Sequence, residues 1–116
     1  MTLTNQSAFD TMVNHLLKQG EKSRAYDRST CLYRNPDGLK CAIGAILPDD
    51  LYVSSMENKL AQSLMHDYPT IGQLWENLSI NLLAKMQYIH DNRAVSEWYD
   101  EFKAIADDFN LSMPEY

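Results

Sequence analysis

Two His-Asp dipeptides, His66-Asp67 and His90-Asp91, are the residue pairs with the most familiar chemistry in this sequence. Two histidines and two aspartates around one metal ion could activate water for hydrolysis of a phosphate ester. Each dipeptide, however, lies near the predicted end of a helix, where a cationic histidine and a turn-forming aspartate have ordinary local reasons to occur. His15 completes no spacing that is typical of zinc. We therefore expect no metal site and no cofactor.

The two cysteines, Cys31 and Cys41, are the potential thiol nucleophiles. A catalytic thiol needs a base within reach and a lowered pKa. A hairpin predicted between the cysteines would bring them close without placing them directly opposite, and small buried thiols are common in protein cores. Without a nearby Cys or His pair they also form a weak zinc site. We expect both to be structural and, in a reducing compartment, free thiols.

The adjacent carboxylates Asp49-Asp50 and Asp107-Asp108 are predicted to lie in a turn and at a helix end. Neighbouring residues do not converge on one atom, as a pair of catalytic carboxylates must. The sequence also contains no glycine-rich phosphate loop and no serine nucleophile elbow. We predict that the protein is not an enzyme.

Basic residues are concentrated in one short part of the chain. Sixteen acidic and ten basic residues give the 116-residue chain a formal charge of −6, which argues against binding of extended nucleic acid or of an anionic membrane. Residues 18–40 nevertheless contain six basic and three acidic residues, a local charge of +3, whereas residues 41–116 have a local charge of −8. The acidic excess therefore belongs to the second part of the chain.

The basic segment predicts a site for a compact anion. Guanidinium groups bind phosphate through two hydrogen bonds at once, and a tyrosine ring can stack on a nucleobase. The alternative is a solvated loop with scattered charges. The residues expected to contact a ligand are Arg24, Tyr26, Arg28, Tyr33, Arg34 and Lys40.

A helix and a hairpin are predicted to position this segment. Apolar residues recur at helical spacing from Phe9 to Leu17; Thr4 or Ser7 can cap the start of that helix, and Gly20 can end it. Residues 21–30 have no apolar period and are predicted to form a loop. Residues 35–38, Asn-Pro-Asp-Gly, are typical of a type I turn followed by a glycine bulge. The residues on either side are therefore predicted to pair as two short strands.

Further helices are predicted from apolar periodicity in the second part of the chain. Capping-box patterns, Ser54 with Glu57 and Thr70 with Gln73, are expected to precede two of them. The first of these helices ends before Pro69.

The second of them is predicted to run to about Asp91, and the last helix covers residues 95–109. Trp75 and Trp98 are expected in the core, while residues 42–47 fit either a buried helical turn or a buried strand. The predicted class is mainly α (α+β), with about four amphipathic helices around one core and a small β-hairpin inserted after the first helix. A single domain is expected to span residues 1–116.

Residues 31–50, CLYRNPDGLKCAIGAILPDD, resemble a family of small uncharacterised proteins from bacteriophages and bacteria. Those proteins contain Cys-x-Tyr-Arg, an Asp-Gly or Asn-Gly turn, Lys-Cys-Ala and an Ile-Pro-Asp-like run after an N-terminal helix. Leu47-Pro48-Asp49 departs mildly from the last of these motifs. The resemblance implies a phage-type accessory protein, a class that often antagonises host defence, and it supplies no catalytic residue.

We accordingly predict a non-enzymatic binder that antagonises a host defence system by sequestering a nucleotide-derived signalling molecule. The alternative is a protein-binding inhibitor whose acidic helical surface engages a basic groove of a host enzyme or of a nucleic-acid-binding complex. Neither a signal peptide nor an apolar run of about 18 residues is present, so we expect a cytoplasmic location, in the host cell if the protein is phage-encoded. Stripes of Leu and Met leave a homo-oligomer open.

Overall fold

The computed structural model describes residues 3–24, 32–57 and 59–114. Within these ranges the chain is mainly helical, and its buried apolar side chains form one core cluster. Two short 3-10 turns, Ser54–Met56 and Val95–Glu97, connect longer elements. The α-helices are α1 (Asn5–Gln19), α2 (Ala42–Ala45), α3 (Ala61–Asp67), α4 (Pro69–Leu74), α5 (Ile80–Asn92) and α6 (Trp98–Asp108).

Helix α1 begins and ends at the predicted signals. The Thr4 hydroxyl accepts a hydrogen bond from the Ser7 backbone N–H at 3.0 Å, and the Ser7 hydroxyl accepts one from the Thr4 N–H at 2.9 Å. Gly20 ends the helix in the left-handed region, with φ of +67°, which glycine adopts without the steric cost of a side chain. The helix buries the predicted apolar face from Phe9 to Leu16.

The predicted hairpin is reduced to one isolated antiparallel bridge between Arg34 and Lys40 in the described part of the chain. The turn itself forms, since the Gly38 N–H donates to the Asn35 carbonyl at 3.1 Å and Gly38 has a φ of +87°. Pairing stops after it because Cys41 already caps α2, its Sγ accepting the Gly44 N–H at 3.3 Å. The mainly helical class is confirmed, whereas two paired strands are not present in the described residues.

Helix α2 shows that residues 42–47 begin as a buried helical turn. Gly44 is required there because a Cβ at this position would overlap the carbonyl oxygen of Tyr33. The close approach presses α2 against the segment that contains the bridge.

The single helix predicted to run from about residue 70 to Asp91 is wrong. Helix α4 ends at Leu74 and α5 starts at Ile80, with the Ser79 hydroxyl accepting the Leu82 N–H at 3.3 Å. The apolar stripe continues through the break because Trp75 and Leu78 are buried in the same core.

Both predicted capping boxes in this half are also wrong. Helix α4 begins at Pro69 without a side-chain cap, and Ser54 lies inside a 3-10 turn. Glu57 makes contacts with a distant part of the chain instead.

The helices pack on one another around the core. Helix α1 packs on α2, α2 on α5, and α5 on α6, with α3 and α4 packed together beside α5. Trp75 and Trp98 are fully buried, as predicted. No helix in the described ranges is long and apolar enough to cross a bilayer.

Candidate functional site

Two of the predicted ligand contacts are brought together by the turn, and the backbone of a third lies beside them. The bridge sets Arg34 beside Lys40, and the Asn35 side-chain amide donates to the carbonyl oxygen of Arg24 at 3.2 Å. We call Arg24, Arg34 and Lys40 the basic ridge. Two further predicted contacts, Tyr26 and Arg28, lie outside the described residues.

Asp49 places a carboxylate on the basic ridge. Its Oδ1 lies 2.8 Å from Nη1 of Arg34 and 3.5 Å from Nζ of Lys40, so both cations contact the same oxygen. The Asp49 side chain is 82% exposed. The positive charges of Lys40 and Arg34 hold the pKa of Asp49 below its usual value. An exposed anionic oxygen is therefore already accommodated between two cations.

Arg34 is anchored from several sides. Its Nη2 donates to the Leu47 carbonyl at 2.5 Å, and its guanidinium carbon lies 4.9 Å from the centre of the Tyr52 ring, within range of a cation–π interaction. The side chain is only 17% exposed. These contacts fix the guanidinium with Nη1 directed at Asp49.

Glu57 holds the backbone that carries Arg34. Its Oε1 accepts the Tyr33 N–H at 2.8 Å, and its Oε2 accepts the Arg34 N–H at 3.1 Å and the Tyr52 hydroxyl at 2.5 Å. Burial, together with this hydrogen bond to Glu57, raises the pKa of Tyr52 to about 12. Sequence reasoning missed Glu57 and Tyr52, because nothing local indicates that either residue contacts the segment of residues 33 and 34.

Tyr33 does not lie with the cations, although it was predicted to stack on a ligand beside them. The residue is buried, and its hydroxyl donates to the carbonyl oxygen of Lys59. Burial raises the pKa of this phenol above its ordinary value, and the nearby Cys41 and Glu57 act in the same direction. Consecutive side chains of an extended segment point in opposite directions, so Tyr33 faces inward while Arg34 faces Asp49.

The positive potential of the ridge extends to α1. The Gln19 side chain pairs with the backbone of Lys40, donating to its carbonyl at 2.8 Å and accepting its N–H at 2.9 Å. His15 donates from Nε2 to the same glutamine oxygen at 2.8 Å. Burial lowers the pKa of His15, and Lys40 and Arg34 lower it further.

The two His-Asp dipeptides lie away from the basic ridge and from each other. His90 is fully buried; its Nε2 accepts the Ser23 N–H at 3.0 Å, so Nδ1 carries the proton donated to Oδ1 of Asp91 at 2.7 Å. His66 is 89% exposed on α3, apart from that pair. Within the described ranges no three metal-ligating side chains come together.

Cys41 is also fully buried, and burial raises the pKa of its thiol well above the ordinary value. A buried thiol with a raised pKa is a poor nucleophile. Cys31 lies outside the described residues.

No protein-family model, curated protein or solved structure matches this chain. The resemblance of residues 31–50 to small phage proteins therefore stays a prediction, and a function has to be argued from the geometry of the basic ridge.

Proposed function

We propose that the protein is a non-enzymatic binder that captures a compact, phosphate-bearing ligand of the nucleotide class at the basic ridge. The observation that supports this most strongly is the Asp49 carboxylate, which contacts Arg34 and Lys40 through a single oxygen. A phosphate oxygen has the charge and size to take the same place. Such a binder would act as a phage-type accessory protein that removes a nucleotide signal of its host.

Displacement of Asp49 by a ligand costs little. The carboxylate is 82% exposed, and exposed ion pairs contribute little to stability because water and salt screen them. A phosphate or diphosphate brings more acceptor oxygens and more charge than one carboxylate, so it gains contacts that Asp49 cannot supply. The fixed guanidinium of Arg34 loses little conformational freedom on binding, which favours affinity.

The imidazole of His90 and the thiol of Cys41 are both occupied or buried within the protein, which supports binding rather than catalysis. The Nε2 atom of His90 already accepts a backbone N–H, and the Cys41 thiol has no access to solvent. Neither group can exchange a proton with, or attack, a ligand at the ridge without rearrangement of the core.

Calorimetry against cyclic di- and trinucleotides and ADP-ribose derivatives tests the proposal. Lys40→Ala is the informative variant, because the ion pair of Lys40 in the described residues is with Asp49, while its backbone pairs with Gln19. We expect about a tenfold loss of affinity, the size of one charge-assisted contact. Lys103→Ala, which removes an exposed lysine of α6, is the matched control and should bind as the wild type does.

A flat titration across the whole panel would overturn the proposal. Equal losses in Lys40→Ala and Lys103→Ala would also overturn it, because they would reduce the effect to net charge. Arg34→Ala is a poor test, since Arg34 also binds the Leu47 carbonyl and packs on Tyr52.

A second candidate, a protein-binding inhibitor, is favoured by the exposed face of α6. Asp107 and Asp108 lie in its last turn, which contains no basic residue, although carboxylates there oppose the helix dipole. A basic groove on a partner protein would compensate for this repulsion. One salt-sensitive protein partner in a pull-down, lost on Asp107→Asn with Asp108→Asn, supports this candidate. A small molecule released from the purified protein by heating supports the first.

A further inference from the structure

A cavity between α3 and α5 forms a concave site apart from the basic ridge. Its volume is about 350 Å³, within the range of small-molecule pockets. The walls are mostly apolar and include Ile43, Ala61 and Leu83. Leu60 and Tyr88 at the edge are 74% and 53% exposed, so their apolar surface is accessible at the mouth of the cavity. The cavity thus offers apolar surface that is open to a ligand.

Asp91 supplies an oriented carboxylate to this cavity. Its Oδ1 accepts hydrogen bonds from Nδ1 of His90 at 2.7 Å and from Nε2 of Gln87 at 2.8 Å. Gln87 is itself fixed, because its Oε1 accepts the Ile43 N–H at 3.1 Å. The His90 ring is buried and stacks on Trp98 at a centroid distance of 5.7 Å. The carboxylate is therefore held in one orientation by groups that cannot easily move.

The second carboxylate oxygen of Asp91, Oδ2, has no hydrogen bond to any other residue in the described ranges. The described lining of the cavity also contains no lysine or arginine. Lys22 contacts the Asp91 backbone carbonyl at 3.5 Å and Arg93 lies 5.3 Å from the centre of the Tyr88 ring, but neither side chain lines the cavity. An anion entering the cavity would therefore meet the Asp91 carboxylate. A ligand with N–H donors would find an acceptor instead.

We propose that this cavity binds a small planar aromatic cation, whose ring lies against the apolar walls and whose amino or amidinium N–H groups donate to Oδ2 of Asp91. Tyr33, which lines the same cavity, supplies an aromatic surface for the ring. The site is independent of the basic ridge, since Arg34 is directed to Asp49 on the other side of the extended segment.

Benzamidine is a suitable probe, and benzoate is its matched control with similar shape and opposite charge. Amide chemical shifts of the full-length protein are followed by NMR during titration with each compound. Benzamidine is expected to bind with a Kd on the order of 1 mM, because a ligand of so few atoms makes few contacts. Its binding should shift amide signals of α3 and α5. Benzoate is expected to produce no saturable shift there.

Two variants test whether benzamidine binds in this cavity. Asp91→Asn is expected to weaken benzamidine binding at least about tenfold by removing the charge. Ala61→Phe should block the cavity while it leaves Asp91 intact, so it decides the outcome if Asp91→Asn does not fold. Ala104→Phe, in the neighbouring groove between α5 and α6, is the control and should bind normally.

The proposal is overturned if benzamidine gives no saturable shift up to about 10 mM. It is also overturned if benzoate binds equally well, or if Ala61→Phe leaves binding unchanged. None of these results bears on nucleotide binding at the ridge, so the two proposals can fail separately.

Discussion

Replacement of Glu57 by glutamine is expected to destabilise the protein and to disturb the basic ridge. The two carboxylate oxygens accept the N–H groups of Tyr33 and Arg34 together with the Tyr52 hydroxyl. Glutamine keeps one acceptor oxygen, so one of the two backbone N–H groups must face an amide N–H. A hydrogen bond to a charged group contributes about 1.5–3 kcal/mol, so we expect a loss of about 2–3 kcal/mol.

Urea denaturation followed by circular dichroism measures this loss. With a denaturant slope of about 1.5 kcal/mol/M, the midpoint should fall by about 1.5 M with little change in slope. Glu76→Gln is the matched control, since Glu76 is exposed, and it should stay within about 0.5 kcal/mol of the wild type. If Glu57→Gln is as stable as Glu76→Gln, the bonds to the backbone of residues 33 and 34 do not hold this segment, and the reasoning is refuted.

Three further predictions concern groups around the ridge. The folded-state pKa of His15 is lowered, so the unfolded chain takes up the proton first and stability falls as the pH drops below about 6.5. Denaturation across this range should show a smaller decline in stability for His15→Gln than for the wild type. An identical decline in stability would contradict the prediction. Gly44→Ala should lower the melting temperature by about 10 °C, because its Cβ overlaps the Tyr33 carbonyl; an unchanged value would show that α2 can move away. In a Cys31→Ser background, Cys41 should resist a thiol reagent until the protein unfolds, and rapid native labelling would disprove its burial.

The helices were predictable because apolar periodicity records which side of a local segment is buried. The first helix was predicted with its ends, since Thr4, Ser7 and Gly20 act on neighbouring residues. The break between α4 and α5 was not, because Trp75 and Leu78 continue the apolar stripe through a non-helical stretch. Periodicity reports burial, and burial does not require an unbroken helix.

The candidate site was predictable only in part for the same reason. Segment charge and turn chemistry together place Arg34 near Lys40, because both signals are local. The inward direction of Tyr33 depends on α2 pressing against it, and the two backbone N–H groups that Glu57 binds lie more than 20 residues away in sequence. Asp49 was assigned only to a turn, since its contact with the ridge forms when α2 packs in place.

The most direct test of the account compares the affinities of Asp49→Asn and Asp50→Asn for the nucleotide that the wild type binds. Both variants remove one negative charge from adjacent exposed positions, but of the two carboxylates that of Asp49 forms the ion pairs with Arg34 and Lys40. If the carboxylate occupies the ligand's place, calorimetry will show tighter binding for Asp49→Asn than for Asp50→Asn and the wild type. Equal affinities in the two variants, or weaker binding by Asp49→Asn, would contradict the claim that the basic ridge is the anion site.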